Sequence, residues 1–222
     1  MIESRKLLTT VQERLDPRHT ALLVIDVQND FAHPDGFTSR RGASLQATRA
    51  AVDRLLWLVD QTHGCGVPVM HIRAHYDDRF TGGPMAEHMT RRGGGDRCVS
   101  GTWGADFYGV TPAHDEYIVS KHRYSGFVGT ELEMILHRME IRTLVAGGLT
   151  TDVCVESTAR DAYHRDFHVA VATDGTAAMD PAYREASLAV MGRMFADLRS
   201  REEIARIRQA AIERNKSPAS AG

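Results

Sequence analysis

The chain has 222 residues, 42% hydrophobic and 25% charged, which is long enough for one α/β domain with a sizeable core. A formal net charge of −2 and a pI of about 6.6 exclude a polybasic nucleic-acid or membrane surface. Three scattered cysteines, Cys65, Cys98 and Cys154, form no CxxC pair, which argues against a disulfide framework or a cysteine-based zinc site and fits a reducing cytoplasm; no apolar run of about 18 residues is present to span a membrane.

Residues 1–20 place Leu7, Leu8, Val11 and Leu15 among charged residues. This reads as an N-terminal arm or short amphipathic helix that could pack on a neighbouring subunit. Ala21 to Val27 is a continuous apolar run with a single acid, Asp26, near its end, the signature of a strand covered on both faces. Residues 28–43 read as a loop. Ser44 to Thr62 has helical spacing with Ser44 as its cap, and Val67 to Ile72 is a second strand. Residues 74–115, including Gly93 to Gly95, lack periodicity, and a loop of that length is expected to cover a pocket.

Glu116 to Ser120 reads as a third strand. Thr130-Glu131-Leu132-Glu133 has the pattern of a capping box opening a helix. Thr143 to Ala146 is a fourth strand, followed by two glycines and Asp152 as the cap of a helix through Tyr163. His168 to Thr173 is a fifth strand, and Asp180-Pro181 starts a helix with Pro at its first position. Phe195 to Leu198 is a short sixth strand. Ser200 to Glu203 is a second capping box, and residues 215–222 read as a disordered tail. Strands alternating with helices predict one domain over residues 21–214, a doubly wound, mostly parallel six-stranded sheet with helices on both faces.

Parallel strands end together on one edge, where open α/β sheets bind ligands. Asp26 ends the first strand, Lys121 follows the third, and Cys154 follows the fourth. Together they form a chemically coherent set: a sulfur nucleophile, an acid to take its proton and return it to a leaving amine, and a cation to hold both charges. A helix N-terminus favours a thiolate, so Cys154 is expected to alkylate faster than Cys65 or Cys98. Each residue also has an ordinary reading: a buried apolar cysteine, a turn aspartate, a solvated lysine. Joint placement at strand ends favours the site.

The segments ALLVIDVQNDF, KHRYSGFVGTEL and AGGLTTDVCVESTARDAY together resemble the isochorismatase-like cysteine hydrolases. The resemblance implies the strand order 3-2-1-4-5-6 and a catalytic triad at Asp26, Lys121 and Cys154. It also implies a cis peptide at Leu149–Thr150, with the N–H groups of Thr150 and Cys154 as an oxyanion hole. Cys154 points to C–N hydrolysis, and the RYSGF and CVESTARDA segments are similar to the branch that hydrolyses ureido and carbamoyl amides without a cofactor. Phe31 and Tyr124 would then face the substrate, and Arg73, His75, Trp103 and Arg123 are candidate donors to it. A metal is not expected, because His71 and His75 would stand about 13 Å apart along a strand. The implied protein is a cytoplasmic homo-oligomer, dimer or tetramer, with a small amide as substrate. The rival readings are a nicotinamidase of the same fold and, from another class, a nucleotide-binding module; against the latter, no G-x-G-x-x-G follows any strand.

Overall fold

Six strands form one sheet in the order β3-β2-β1-β4-β5-β6, every neighbouring pair parallel. They are β1 (Thr20–Ile25), β2 (Val69–Ala74), β3 (Tyr117–Lys121), β4 (Thr143–Leu149), β5 (His168–Ala177) and β6 (Asp197–Arg199). The computed structural model describes residues 7–91, 93 and 96–216. Residues 1–6 of the predicted arm, two of the three consecutive glycines (Gly94 and Gly95) and residues 217–222 of the predicted tail lie outside them.

The helices are α1 (Val11–Arg14), α2 (Asn29–Ala32), α3 (Phe37–Arg40), α4 (Gln46–Thr62), α5 (Gly83–Arg91), α6 (Leu132–Arg138), α7 (Glu156–Tyr163), α8 (Pro181–Met194) and α9 (Arg201–Lys216). β1 is buried along its whole length, and the two-residue period of a strand sends its side chains to opposite layers. Leu22 and Val24 join Leu55, Leu58 and Ile204 under α4 and α9. Leu23 and Ile25 join Leu132, Leu136, Ala159 and Leu188 under α6, α7 and α8. A strand sandwiched in this way must be apolar on both faces, which is why ALLVI carries no alternation.

Several expected boundaries move. Ser44 does not cap α4: the N-cap is Leu45, with no side-chain hydrogen bond. β2 begins after Pro68, whose carbonyl accepts from the Leu22 N–H, and it continues to Ala74. β3 runs one residue further than read and so contains Lys121. The first capping box does not form: the N-cap of α6 is Glu131, with no side-chain hydrogen bond, and Glu133 accepts from Arg165 Nε at 3.0 Å. The second does close: the Ser200 N–H donates to Glu203 and the Glu203 N–H to Ser200 Oγ. The described part of the arm lies on its own chain. Leu15 is fully buried there, and Arg14 grips Asp197 of β6 at 2.7 Å. Asn215 and Lys216, read as tail, complete α9.

Candidate active site

Asp26 follows β1 with φ of 53°, a left-handed conformation that Asp tolerates better than most residues. Its N–H still donates to the Ile72 carbonyl at 2.7 Å, so the turn is hung on the sheet. Beyond Val27, Gln28, Asn29 and Asp30 are polar yet buried, and each bonds to the 74–115 segment. Gln28 donates to the Ala74 and Ala105 carbonyls and accepts from the Ala74 N–H. Asn29 donates to the Trp103 carbonyl. Asp30 accepts from the Phe37 and Cys98 N–H groups. This buried polar run fastens the long loop over the carboxyl edge of the sheet, a role the sequence reading missed; the signal for it was a Q-N-D triplet directly after an apolar strand.

Lys121 ends β3 and is fully buried, as is Asp26. Its ammonium is ion-paired with Asp26 Oδ2 at 2.8 Å and donates to Cys154 Sγ at 3.4 Å and to the Arg123 carbonyl at 3.1 Å. The order is therefore carboxylate, ammonium, sulfur, with the cation touching both others.

Cys154 is brought in from β4. Gly148 has φ of +122°, and a Cβ there would stand 2.0 Å from the Ile25 carbonyl oxygen, so only glycine lets β4 pass this close to β1. The Leu149–Thr150 peptide is cis. Thr151–Val155 then winds as a single π-helical turn, not as the start of an Asp152-capped α-helix; Thr150 is the N-cap, with no side-chain hydrogen bond. Such turns recur at functional sites. Thr176 Oγ1 lies 2.9 Å from Thr151 Oγ1 and donates to the Gly148 carbonyl, bracing the turn from β5. Thr158 Oγ1 accepts from the Gly126 N–H and donates to the Cys154 carbonyl, tying the loop after β3 to the cysteine turn.

Burial sets the protonation states. It pushes the Asp26 carboxyl upward, against the charge of Lys121. It works against the Lys121 charge too, but Asp26 and Cys154 outweigh it and hold the ammonium above its ordinary range. The Cys154 thiol is pushed up to about 12 by burial and by the Asp26 charge, with Lys121 opposing both. This corrects the expectation of a resting thiolate. Burial and the Asp26 charge thus disfavour the thiolate, and only Lys121 favours it.

Cys154 opens on a cavity of about 460 Å³, within the usual range for a small-molecule site. Thr150, Phe31 and Tyr124 line it as expected. Arg73, His75, Trp103 and Arg123 do not. Arg73 Nε donates to Ser120 Oγ, while His75 is held through its backbone by Lys121 and His122. The half-exposed Trp103 ring packs edge-on against His33, and Arg123 donates to the Phe80 carbonyl. Arg41, Tyr76, Arg97 and Asp152 line the cavity instead. A shallower depression of about 500 Å³ beside Arg49 and Asp53 is lined by none of the three reactive residues. Among the described residues no three His, Cys, Asp or Glu side chains are grouped to hold a metal. His71 is paired with Glu116 at 2.9 Å.

The isochorismatase domain profile matches residues 20–203, and the chain belongs to that family. The relatives it matches include ureidoacrylate amidohydrolases. It is 32% identical over 176 residues to the ureidoacrylate amidohydrolase RutB of Methylobacterium radiotolerans, covering 73% of this chain and 68% of that protein. A cysteine hydrolase from Pseudomonas syringae pv. phaseolicola superposes with a TM-score of 0.77 at 25% identity, covering 94% of this chain and 99% of that one. N-carbamoylsarcosine amidase from Thermoplasma acidophilum gives 0.67 at 29%, covering 83% and 97%.

Proposed function

We infer that this chain is a cysteine-type amidohydrolase that cleaves a linear C–N bond of a small ureido or carbamoyl compound. Family membership and the amidohydrolase relatives support the class. One observation carries the residue roles: a fully buried ammonium joins a carboxylate at 2.8 Å to a sulfur at 3.4 Å beside the cavity.

The course follows from the charges. Asp26 takes the Cys154 proton as the sulfur attacks the carbonyl carbon, and Lys121 stabilises the carboxylate before transfer and the developing thiolate after it. The oxyanion of the tetrahedral intermediate is received by the N–H groups of Thr150 and Cys154. Asp26 returns its proton to the leaving nitrogen, the C–N bond breaks, and an acyl thioester remains on Cys154. Water, deprotonated by Asp26, then cleaves the thioester. A carbamoyl group leaves as ammonia and carbon dioxide. No step calls for a cofactor, and the substrate is a small molecule reaching the sulfur through the cavity.

The test is ammonia release across ureido, carbamoyl and simple primary amides, with nicotinamide as the contrasting substrate and EDTA in a parallel series. Turnover confined to nicotinamide and lost with EDTA would move the chain to the metal-dependent alternative. Release from none of them overturns the reading.

A further inference from the structure

We propose that Arg97 anchors a carboxylate on the substrate, so that the enzyme prefers carbamoyl or ureido acids to neutral amides. This deepens the amidohydrolase reading and rests on it.

Arg97 lies in the loop before β3 and lines the cavity that holds Cys154. Its guanidinium carbon stands 5.4 Å from the centroid of the Tyr76 ring and 5.9 Å from that of Phe37. Aromatic rings suit the flat face of a guanidinium and leave its N–H edge for planar acceptors. Among the described residues that edge has none: Arg97 makes no hydrogen bond or ion pair, and its Nε is sealed from water without a partner. Buried donors are nearly always satisfied, and an unsatisfied one calls for an explanation. The other charged groups of the lining are differently placed. Arg41 donates to the Gly93 carbonyl at 2.7 Å, and Asp180 accepts from the Ala182 N–H to cap α8.

One further sealed, unpartnered polar atom belongs to the lining, Asp152 Oδ1, and it is an acceptor. The residues of the lining thus include one unpaired donor, Arg97 Nε, and one unpaired acceptor, Asp152 Oδ1, both lying just beneath the cavity wall. A carbamoyl acid has the complementary pair, a carboxylate for the fork of Arg97 and an amide N–H for Asp152. A neutral amide satisfies only the second, and a dicarboxylate conflicts with it. A bidentate guanidinium–carboxylate contact is among the strongest a small ligand can make.

The Arg97 charge also reaches the triad. Asp26, pushed up by burial, is drawn back chiefly by Lys121 and, least, by Arg97. Replacing Arg97 therefore disturbs chemistry as well as binding, and the informative quantity is a ratio between two substrates sharing one reacting group. The probes are N-carbamoylglycine and its neutral amide, N-carbamoylglycinamide. In the wild-type protein the acid should have the higher kcat/KM. In Arg97→Gln the acid-to-amide ratio should fall about 10- to 100-fold, the range for one hydrogen bond to a charged group. Arg97→Lys, which keeps the charge and loses the fork, should fall between. The same two probes are titrated calorimetrically into Cys154→Ala with and without Arg97→Gln, which reads the anchor in the absence of turnover. Arg97-dependent binding of the acid in a protein that hydrolyses nothing would sink the amidohydrolase reading and leave the anchor standing. A ratio and an affinity unmoved by Arg97→Gln, or a preference that follows Arg41→Gln instead, overturns the proposal.

Discussion

Lys121→Met tests the reasoning about the buried ion pair most sharply. Both partners are fully buried and 2.8 Å apart, which corresponds to about 6 kcal/mol of attraction at an effective dielectric of about 20. Desolvation offsets much of that, yet removing one partner leaves the other charge uncompensated, and such losses run to about 3–5 kcal/mol. With an m-value of about 2 kcal/mol/M the urea midpoint should drop by roughly 1.5–2.5 M at neutral pH. The loss must also depend on pH. Without Lys121 the Asp26 carboxyl, already pushed up by burial, rises further above its unfolded value of about 3.9. A group with a raised folded pKa holds a proton that the unfolded chain releases, so its stabilising effect is full below the unfolded pKa. It disappears as pH climbs through the folded one. The variant should therefore lie closest to wild type near pH 4 and fall behind steadily towards pH 8, and Asp26→Asn/Lys121→Met should remove that slope. Urea unfolding followed by circular dichroism across this range reads both effects. A loss under about 1 kcal/mol, flat in pH, refutes the assignment of a charged pair.

Cys154→Ala and Cys154→Ser should each lower turnover by at least about a thousandfold while leaving the urea midpoint near wild type; a variant that keeps full activity removes Cys154 as nucleophile. Because Asp26 holds the thiol near 12 with burial, Asp26→Asn should lower that value, so iodoacetamide should label Cys154 faster at pH 8 in the variant although ammonia release is lost. Slower labelling in the variant would mean that Asp26 does not face the sulfur. In the wild-type protein the half-exposed Cys65 should alkylate before Cys154, and the reverse order would indicate a resting thiolate. Gly148→Ala, with its Cβ 2.0 Å from the Ile25 carbonyl oxygen and φ of +122°, should lose about 3 kcal/mol or more; a Tm equal to wild type would show that β1 and β4 are not so closely joined there.

The sheet was legible because burial on both faces writes itself as uninterrupted apolar runs, ALLVI above all. The reactive trio was legible for a related reason. Strand ends in a parallel sheet share an edge, so Asp26, Lys121 and Cys154 could be assembled without any knowledge of the loops. What failed was local direction. Ser44 and Asp152 have the right chemistry for helix caps, yet the chain enters α4 through Leu45 and reaches α7 through a π-turn, and composition does not distinguish these geometries. Arg73 and Trp103 are polar or large and near the edge, but Ser120 and His33 already engage them. Their replacements, Tyr76 and Arg97, come from the 74–115 segment, whose path is dictated by Gln28, Asn29 and Asp30 across a long sequence separation. No periodicity within the loop records that pairing.

The proposed reaction passes through a covalent bond to one sulfur. Wild-type protein mixed with an excess of N-carbamoylglycine, acid-quenched within the first turnover and examined by intact-mass and peptide mass spectrometry, should carry one acyl group. That group should map to the peptide containing Cys154 and be absent from Cys154→Ser. Ammonia release at full rate, with unmodified Cys154 at every quench time, would contradict it.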